Sequence, residues 1–250
     1  MGSWGVVMRV YLSLVCGFLL ASCAAPAGGG GGGGGGGTRD VWGHRAGPRG
    51  FRTVVLDAGH GGHDSGARSA VTGVKEKDLA LDVVRRVQRE LGRSFEVKMM
   101  REGDEFVDLD VRAARAAQLG DILLSVHFNS GPSSVRGPET FYWRVDSYGL
   151  AKRLQRNMAA VSPGERGSRG LVRRRLRLTR NPEIPCVLLE LGYLSHPEEA
   201  RLCSDAGYRQ RMAVAIADAV KEQAASGDAG MGVLPPPIYA PPSRPTDAPE

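Results

Sequence analysis

The side chains of this chain best equipped for chemistry are His60, Glu76, His127 and Glu190. His60 lies in the stretch Val54-Val-Leu-Asp-Ala-Gly-His-Gly-Gly-His-Asp-Ser-Gly-Ala67, where an apolar run closes at Asp57 and a glycine-rich turn follows. Positions 57–66 hold four glycines, two histidines and two aspartates. That composition packs poorly and suits a turn that another group must approach closely. His127 ends the apolar run 122–128, and Glu190 sits inside another, Cys186-Val-Leu-Leu-Glu-Leu-Gly-Tyr193. An unpaired carboxylate is costly to bury, so Glu190 needs a metal, a partner or a raised pKa. Two histidines and the carboxylate of Glu76 would hold a zinc ion with one position open for water, and a further carboxylate beside that water would serve as general base. Each residue also has an ordinary reading. His127 fits a hydrogen-bonded core histidine, Glu76 a charge favoured at a helix start, and Glu190 a partner for an arginine. The spacing matches no short helix-borne zinc signature, so only the fold can bring these residues together. A phosphate-binding loop is disfavoured because the Lys-Ser/Thr that would close it is absent.

The elements that must position these residues alternate along the chain. Strand-like apolar runs cover 53–56, 95–100, 122–128, 139–143 and 186–191, and helical periodicity covers 76–91, 109–119, 148–161 and 208–223. The expected architecture is a single α/β domain with a mostly parallel central sheet flanked by helices. In such sheets function gathers beyond the carboxyl ends of the strands. His60, His127 and Glu190 all belong to strand ends.

The ends of the chain read differently. Residues 1–22 carry Arg9, an apolar middle and small residues, the pattern of a signal peptide that directs export. Leu20-Ala21-Ser22-Cys23 resembles a bacterial lipobox, in which Cys23 becomes the lipidated first residue. Residues 23–50 then form an anchor and a glycine-rich tether, with an unbroken glycine run from Gly28 to Gly37. A catalytic domain is expected over 51–224 and a disordered Pro-rich tail over 225–250. Lys and Arg exceed Asp and Glu by 33 to 27. The excess gathers around Arg173, Arg174, Arg175, Arg177 and Arg180, which fits a solvated basic face or a surface for a polyanion or an anionic envelope. The export signal, and the lack of a contiguous basic helix with interleaved aromatics, exclude a nucleic-acid partner. Export permits a disulfide between Cys186 and Cys203, although Cys186 fits a buried small apolar residue better.

Five segments, taken in order, resemble the zinc-dependent N-acetylmuramoyl-L-alanine amidases of the amidase-3 family across about 52–223. They are Asp57-Ala-Gly-His-Gly-Gly-His-Asp-Ser-Gly66, Gly73-Val-Lys-Glu-Lys-Asp-Leu79, Ser125-Val-His-Phe-Asn129, Gly137-Pro-Glu-Thr-Phe-Tyr142 and Leu189-Glu-Leu-Gly-Tyr-Leu-Ser195. The resemblance implies zinc ligands at His60, Glu76 and His127 and a catalytic glutamate at Glu190. It implies peptidoglycan as substrate, with zinc-activated water cleaving the amide between N-acetylmuramic acid and L-alanine. Asp57, Asp64, Ser125 and Asn129 are the candidates for orienting the histidines, with Asp57 equally suited to capping the glycine turn. His63 is expected to be exposed, and the arginines of 173–180 are candidates for holding an acidic stem peptide. The chain departs from the family pattern at Ala116-Ala117-Gln118 and at Ser195-His196, neither of which removes a ligand. The gap between the strand at 137–142 and the catalytic strand is short beside the family's inhibitory insertion, which implies an open site that needs no activator, and a monomer is expected. The lipid anchor and the lack of an aspartate after Cys23 point to the periplasmic face of the outer membrane. The alternative is a non-catalytic peptidoglycan-binding lipoprotein.

Overall fold

The computed structural model describes residues 46–163, 168–180 and 183–236. The signal peptide, Cys23 and the glycine run lie outside them. A six-stranded sheet has the order β2-β1-β3-β6-β4-β5, with β1 at Thr53–Ala58, β2 at Glu96–Met99, β3 at Ile122–Asn129, β4 at Glu139–Tyr142, β5 at Gly170–Arg173 and β6 at Cys186–Tyr193. All neighbours run parallel except β4 and β6, which are antiparallel. The mostly parallel α/β architecture expected above is therefore present, with its five strands and four helices in place. The helices are α1 at Glu76–Leu91, α2 at Leu109–Leu119, α3 at Tyr148–Val161, α4 at Arg177–Arg180, α5 at Pro197–Ser204 and α6 at Ala206–Ser226.

Side chains alternate across a strand, so each central strand serves two layers. Val54 and Leu56, Leu124 and Val126, and Val187 and Leu189 face the larger core with α1, α3 and α6. Val55, Leu123 and Cys186 face a smaller cluster with Ala113 and Ala116 of α2 and Leu178 of α4. The same alternation carries Asp57, Ser125, His127 and Glu190 onto that second face. The functional side chains therefore emerge where the covering layer is thin, at the strands' carboxyl ends.

Sequence periodicity missed β5, α4 and α5. β5 is an edge strand of sequence Gly-Leu-Val-Arg with every residue half-buried, so it lacks the apolar signal of a central strand. Residues just outside 51–224 also make contacts with the domain at both ends. Helix α6 continues to Ser226, and Met231 beyond it is buried. Arg153 of α3, itself buried, donates to the Gly227 and Ala229 carbonyls at 2.8 and 2.7 Å and to Gln223 Oε1 at 3.0 Å. The Gly47 N–H donates to Asp228 Oδ2 at 2.6 Å, and Gly50 N–H to the Ala224 carbonyl at 2.9 Å. A composition rich in Ala, Gly and Pro concealed these contacts, because a backbone carbonyl accepts equally well from any residue type. Residues 237–250 of the expected tail lie outside the described residues.

Arg153→Met would strand the buried Gly227 carbonyl and Gln223 and release the Ala229 carbonyl, so it should cost about 2–4 kcal/mol of folding stability. Urea denaturation of the two proteins measures the difference, and a change below about 1 kcal/mol would show that the C-terminal segment is not held as described.

Candidate metal centre and catalytic cleft

His60 follows β1 by two residues and has φ 58°, the only positive φ outside glycine among the described residues. A side chain there costs roughly 1–3 kcal/mol and persists only where its surroundings over-determine it. Two buried arginines do so. Arg112 of α2 forms a buried ion pair with Asp57 and donates to the Ala58 carbonyl at 2.8 Å and the His60 carbonyl at 2.7 Å. Arg101, just past β2, donates to the Ala58 and Gly59 carbonyls at 2.8 and 2.9 Å and to the Lys77 carbonyl at 2.8 Å. The turn has left the sheet ladder, and these guanidinium groups satisfy the carbonyls that the ladder no longer can. Lys77 fixes the turn from its far side, donating to the Gly62 carbonyl and to Asp104, each at 2.7 Å.

Glu76 begins α1 and is almost wholly buried. Its Oε2 accepts from Ala67 N–H at 2.8 Å and its Oε1 from Phe128 N–H at 3.0 Å. The same Oε1 lies 3.0 Å from His60 Nε2 and 2.9 Å from His127 Nδ1. His60 presents Nε2 inward because its Nδ1 is held by Asp64 Oδ2 at 2.6 Å, and the other Asp64 oxygen accepts from Gly66 N–H at 2.9 Å. The two imidazole rings stand edge to face with centroids 4.9 Å apart. Two glycines make this approach feasible. A Cβ on Gly59 would meet the His127 ring at 2.2 Å, and one on Gly66 would meet His60 Cδ2 at 2.5 Å and Glu76 Oε2 at 2.6 Å.

One ligand atom each from His60, Glu76 and His127 lies within 4.8 Å of the others. Neutral imidazole and carboxylate donors converging at that spacing suit a zinc-type dication. The electrostatics point the same way. Burial works to raise the Glu76 carboxyl, but hydrogen bonds and charge from the two histidines outweigh it and hold the group far below the usual carboxylate range. Burial works to lower His60, but Glu76 and then Asp64 outweigh it and raise the imidazole to about 9. The centre is built to favour positive charge.

Glu190 projects beside it. In the parallel β3–β6 register it is paired with His127, one strand spacing away. Its Oε2 is buried with no hydrogen-bond partner among the described residues. Burial first, and then the charges of Glu76 and Glu139, push its carboxyl well above the ordinary range. The four residues line one cleft of about 430 Å³, with Leu109, Leu176 and Leu178 forming an apolar wall.

The candidates for orienting the histidines divide. Asp64 contacts His60 as expected. Asp57 and Ser125 do not reach a histidine: Ser125 Oγ donates to Asp57 Oδ2 at 2.7 Å, and Asp57 is committed to Arg112. Asn129 lines the cleft, but its Nδ2 donates to Tyr193 Oη at 3.1 Å. His63 is exposed and lies against Phe106 at 4.2 Å. Cys186 and Cys203 are free and buried, so they form no disulfide. Arg112 escaped the sequence reading although a signal was present. It occupies an inward position of the stripe Leu109, Arg112, Ala113 and Ala116, where an arginine must have a buried partner.

Asp64→Asn weakens the acceptor that sets the His60 tautomer, and zinc affinity measured by chelator competition should fall about 10–100-fold. Gly59→Ala should lower it at least as much through its clash with His127, and unchanged affinity in both variants would contradict the geometry. Below pH 9 the His60 imidazolium must lose its proton before it can ligate. Apparent zinc affinity should therefore rise with pH towards about 9, with proton release visible by calorimetry in buffers of different ionisation enthalpy.

Residues 54–222 match the N-acetylmuramoyl-L-alanine amidase family Amidase_3. The chain is 36% identical over 176 residues to "Probable cell wall amidase LytH" of Staphylococcus aureus, covering 68% of this chain and 57% of that protein, so it spans a little over half the length of this curated relative. The solved catalytic domain of CwlV, an N-acetylmuramoyl-L-alanine amidase from Bacillus (Paenibacillus) polymyxa var. colistinus, superposes with TM-score 0.65 at 33% identity, covering 68% of this chain and 97% of that one. The CwlD amidase of Clostridioides difficile, solved in complex with the GerS lipoprotein, gives TM-score 0.64 at 28% identity over 68% of this chain and 97% of its own. With its family segment running through every residue of the centre, from His60 to Glu190, the chain belongs to the N-acetylmuramoyl-L-alanine amidase family.

Proposed function

We propose that this protein is a zinc-dependent peptidoglycan hydrolase that cleaves the amide between N-acetylmuramic acid and the L-alanine of the stem peptide. The observation that carries this reading is Glu190 Oε2, buried and without a hydrogen-bond partner among the described residues, in the same cleft as the convergent donors of His60, Glu76 and His127. His60, Glu76 and His127 would hold the zinc, which when bound would supply positive charge to polarise the scissile carbonyl, acidify water and offset the charge of Glu76. Glu190 takes a proton from the attacking water and returns it to the departing amine of alanine. The apolar wall of Leu109, Leu176 and Leu178 limits hydration of that carboxyl and keeps its proton affinity high enough for both transfers. Asp64 holds the His60 tautomer through the cycle, and Arg112 with Asp57 holds the turn that carries it.

The protein acts as an exported monomer, attached through a lipid on Cys23 to the periplasmic face of the outer membrane, with Gly28 to Gly37 spacing the domain from the bilayer. Among the described residues no helix is long and apolar enough to cross a membrane. Between β4 and β6 the described chain is taken up by α3, β5 and α4, and the cleft remains open beside them. That arrangement supports activity without an activator.

The test is release of stem peptide from purified peptidoglycan by the full chain. Release should stop with a chelator and return with zinc, and Glu190→Gln should lower it about 10²–10⁴-fold. A wild-type protein that takes up zinc and binds peptidoglycan yet releases nothing is a wall-binding lipoprotein instead. Cys23→Ser should move the protein from the membrane fraction to the soluble one, and retention in the membrane fraction would contradict the anchor.

A further inference from the structure

A second polar cluster lies on the same rim of the sheet, outside the residues given roles above. β4 runs antiparallel to β6 and parallel to β5, so β4 and β5 both begin at the end of the sheet where β6 delivers Glu190. Glu139 pairs with Glu190 across β4 and β6, and Gly170 pairs with Glu139 across β4 and β5. Two strand spacings place the start of β5 roughly 10 Å from Glu190. The residue standing there is Arg169. Its backbone N–H donates to the Pro138 carbonyl at 2.9 Å, and its guanidinium carbon lies 5.6 Å from the centre of the Tyr193 ring. Its Nε is 3.6 Å from Glu139 Oε1, longer than a hydrogen bond, and the side chain is 41% exposed. Tyr193 Oη donates to Glu139 Oε2 at 3.1 Å and accepts from Asn129 Nδ2 at 3.1 Å. A continuous polar line thus runs from Asn129 in the cleft through Tyr193 and Glu139 to Arg169.

An arginine stacked on an aromatic ring and steadied by a carboxylate has already lost part of its rotamer freedom. It presents a planar fork suited to a carboxylate. Among the described residues the Nη groups of Arg169 make no hydrogen bond. The neighbouring arginines are committed differently: Arg173 donates to the Trp143 and Pro236 carbonyls at 2.9 and 2.6 Å, and Arg174 and Arg175 stand over the Phe141 and Trp143 rings at 5.9 Å. β5 carries the chain away from the catalytic rim as it runs towards them.

The chemistry of the substrate selects the ligand. In muramic acid the lactyl carboxyl is consumed in the scissile amide, so free carboxylates lie on the peptide side of the cut. Two extended residues span about 7 Å and an acidic group adds a few more, which matches the roughly 10 Å between the strand position of Glu190 and the start of β5. We propose that Arg169 is a specificity-determining residue that binds a free carboxylate of the stem peptide about two residues from the scissile bond, with Tyr193 and Glu139 positioning its guanidinium. This inference rests on the amidase reading of the cleft.

The test uses two N-acetylmuramoyl peptides that differ in one group, a free α-carboxylate or a carboxamide on the second residue. Their affinities for the purified full chain are measured by calorimetry with zinc removed, so that binding is read without turnover. The wild type should bind the carboxylate form about tenfold more tightly than the amide. Arg169→Ala should bring that ratio to about one, and Arg169→Lys should keep an intermediate preference. A wild type without preference, or an Arg169→Ala protein that loses affinity for both peptides equally and keeps the ratio, overturns the assignment and leaves Arg169 a packing residue. A wild type that shows the preference yet releases no peptide when loaded with zinc sinks the amidase reading while the carboxylate subsite stands.

Discussion

The buried ion pair between Asp57 and Arg112 is the contact on which the site's geometry depends. Asp57 closes β1 and Arg112 belongs to α2, so the pair fixes a helix to the strand end from which the turn carrying His60 departs. Burying two charges gains little net stability against apolar packing, and removing one partner is strongly destabilising. Its value here is positional. The same guanidinium reaches the Ala58 and His60 carbonyls, so the charge pair is converted into a fixed backbone path with His60 in the left-handed region. Ser125 supplies the other Asp57 oxygen with a donor from β3, the strand that also carries His127. One carboxylate thereby coordinates the two elements that hold the histidines.

From that constraint the rest of the centre follows. Glu76 comes from a helix, His60 from a turn and His127 from a strand, and each approaches through space opened by a glycine or guarded by a backbone N–H. The Glu76 carboxylate is held by Ala67 and Phe128 N–H groups as well as by the two imidazoles, so its position does not depend on any one ligand. Glu190 is the opposite case. It stands in an apolar strand with an oxygen that no described residue satisfies. One carboxylate is strongly stabilised as an anion and the other strongly discouraged from becoming one, a separation that suits the first to binding a cation and the second to moving a proton.

Much of this was legible in the chain itself. Central strands betray themselves by apolar runs, and a histidine or glutamate that interrupts such a run, as at His127 and Glu190, must be accounted for chemically. The turn at 57–66 was legible because its glycines serve contacts that the residues themselves require, namely the rings of His60 and His127. Contacts made through backbone carbonyls were hidden. Arg101, Arg112 and Arg153 each hold main-chain oxygens far away in sequence, and nothing in the identity of those partner residues announces it. Asp57, Ser125 and Asn129 make their contacts away from the imidazole rings for a related reason: a polar residue near a histidine in sequence has several neighbours in space, and only the register decides among them. The arginine-rich 173–180 stretch read as an exposed basic patch, yet it runs from the end of an edge strand into a helical turn, and its Leu176 and Leu178 wall the cleft.

The central claim is that His60, Glu76 and His127 hold a zinc ion, and the most direct measurement is X-ray absorption at the zinc edge of the purified full chain. The account predicts nitrogen and oxygen scatterers only, with two imidazole shells at about 2.0–2.1 Å, and loss of the bound zinc in His127→Ala. A sulfur shell at about 2.3 Å, or zinc retained undiminished by His127→Ala, would place the metal elsewhere in the protein and contradict the account.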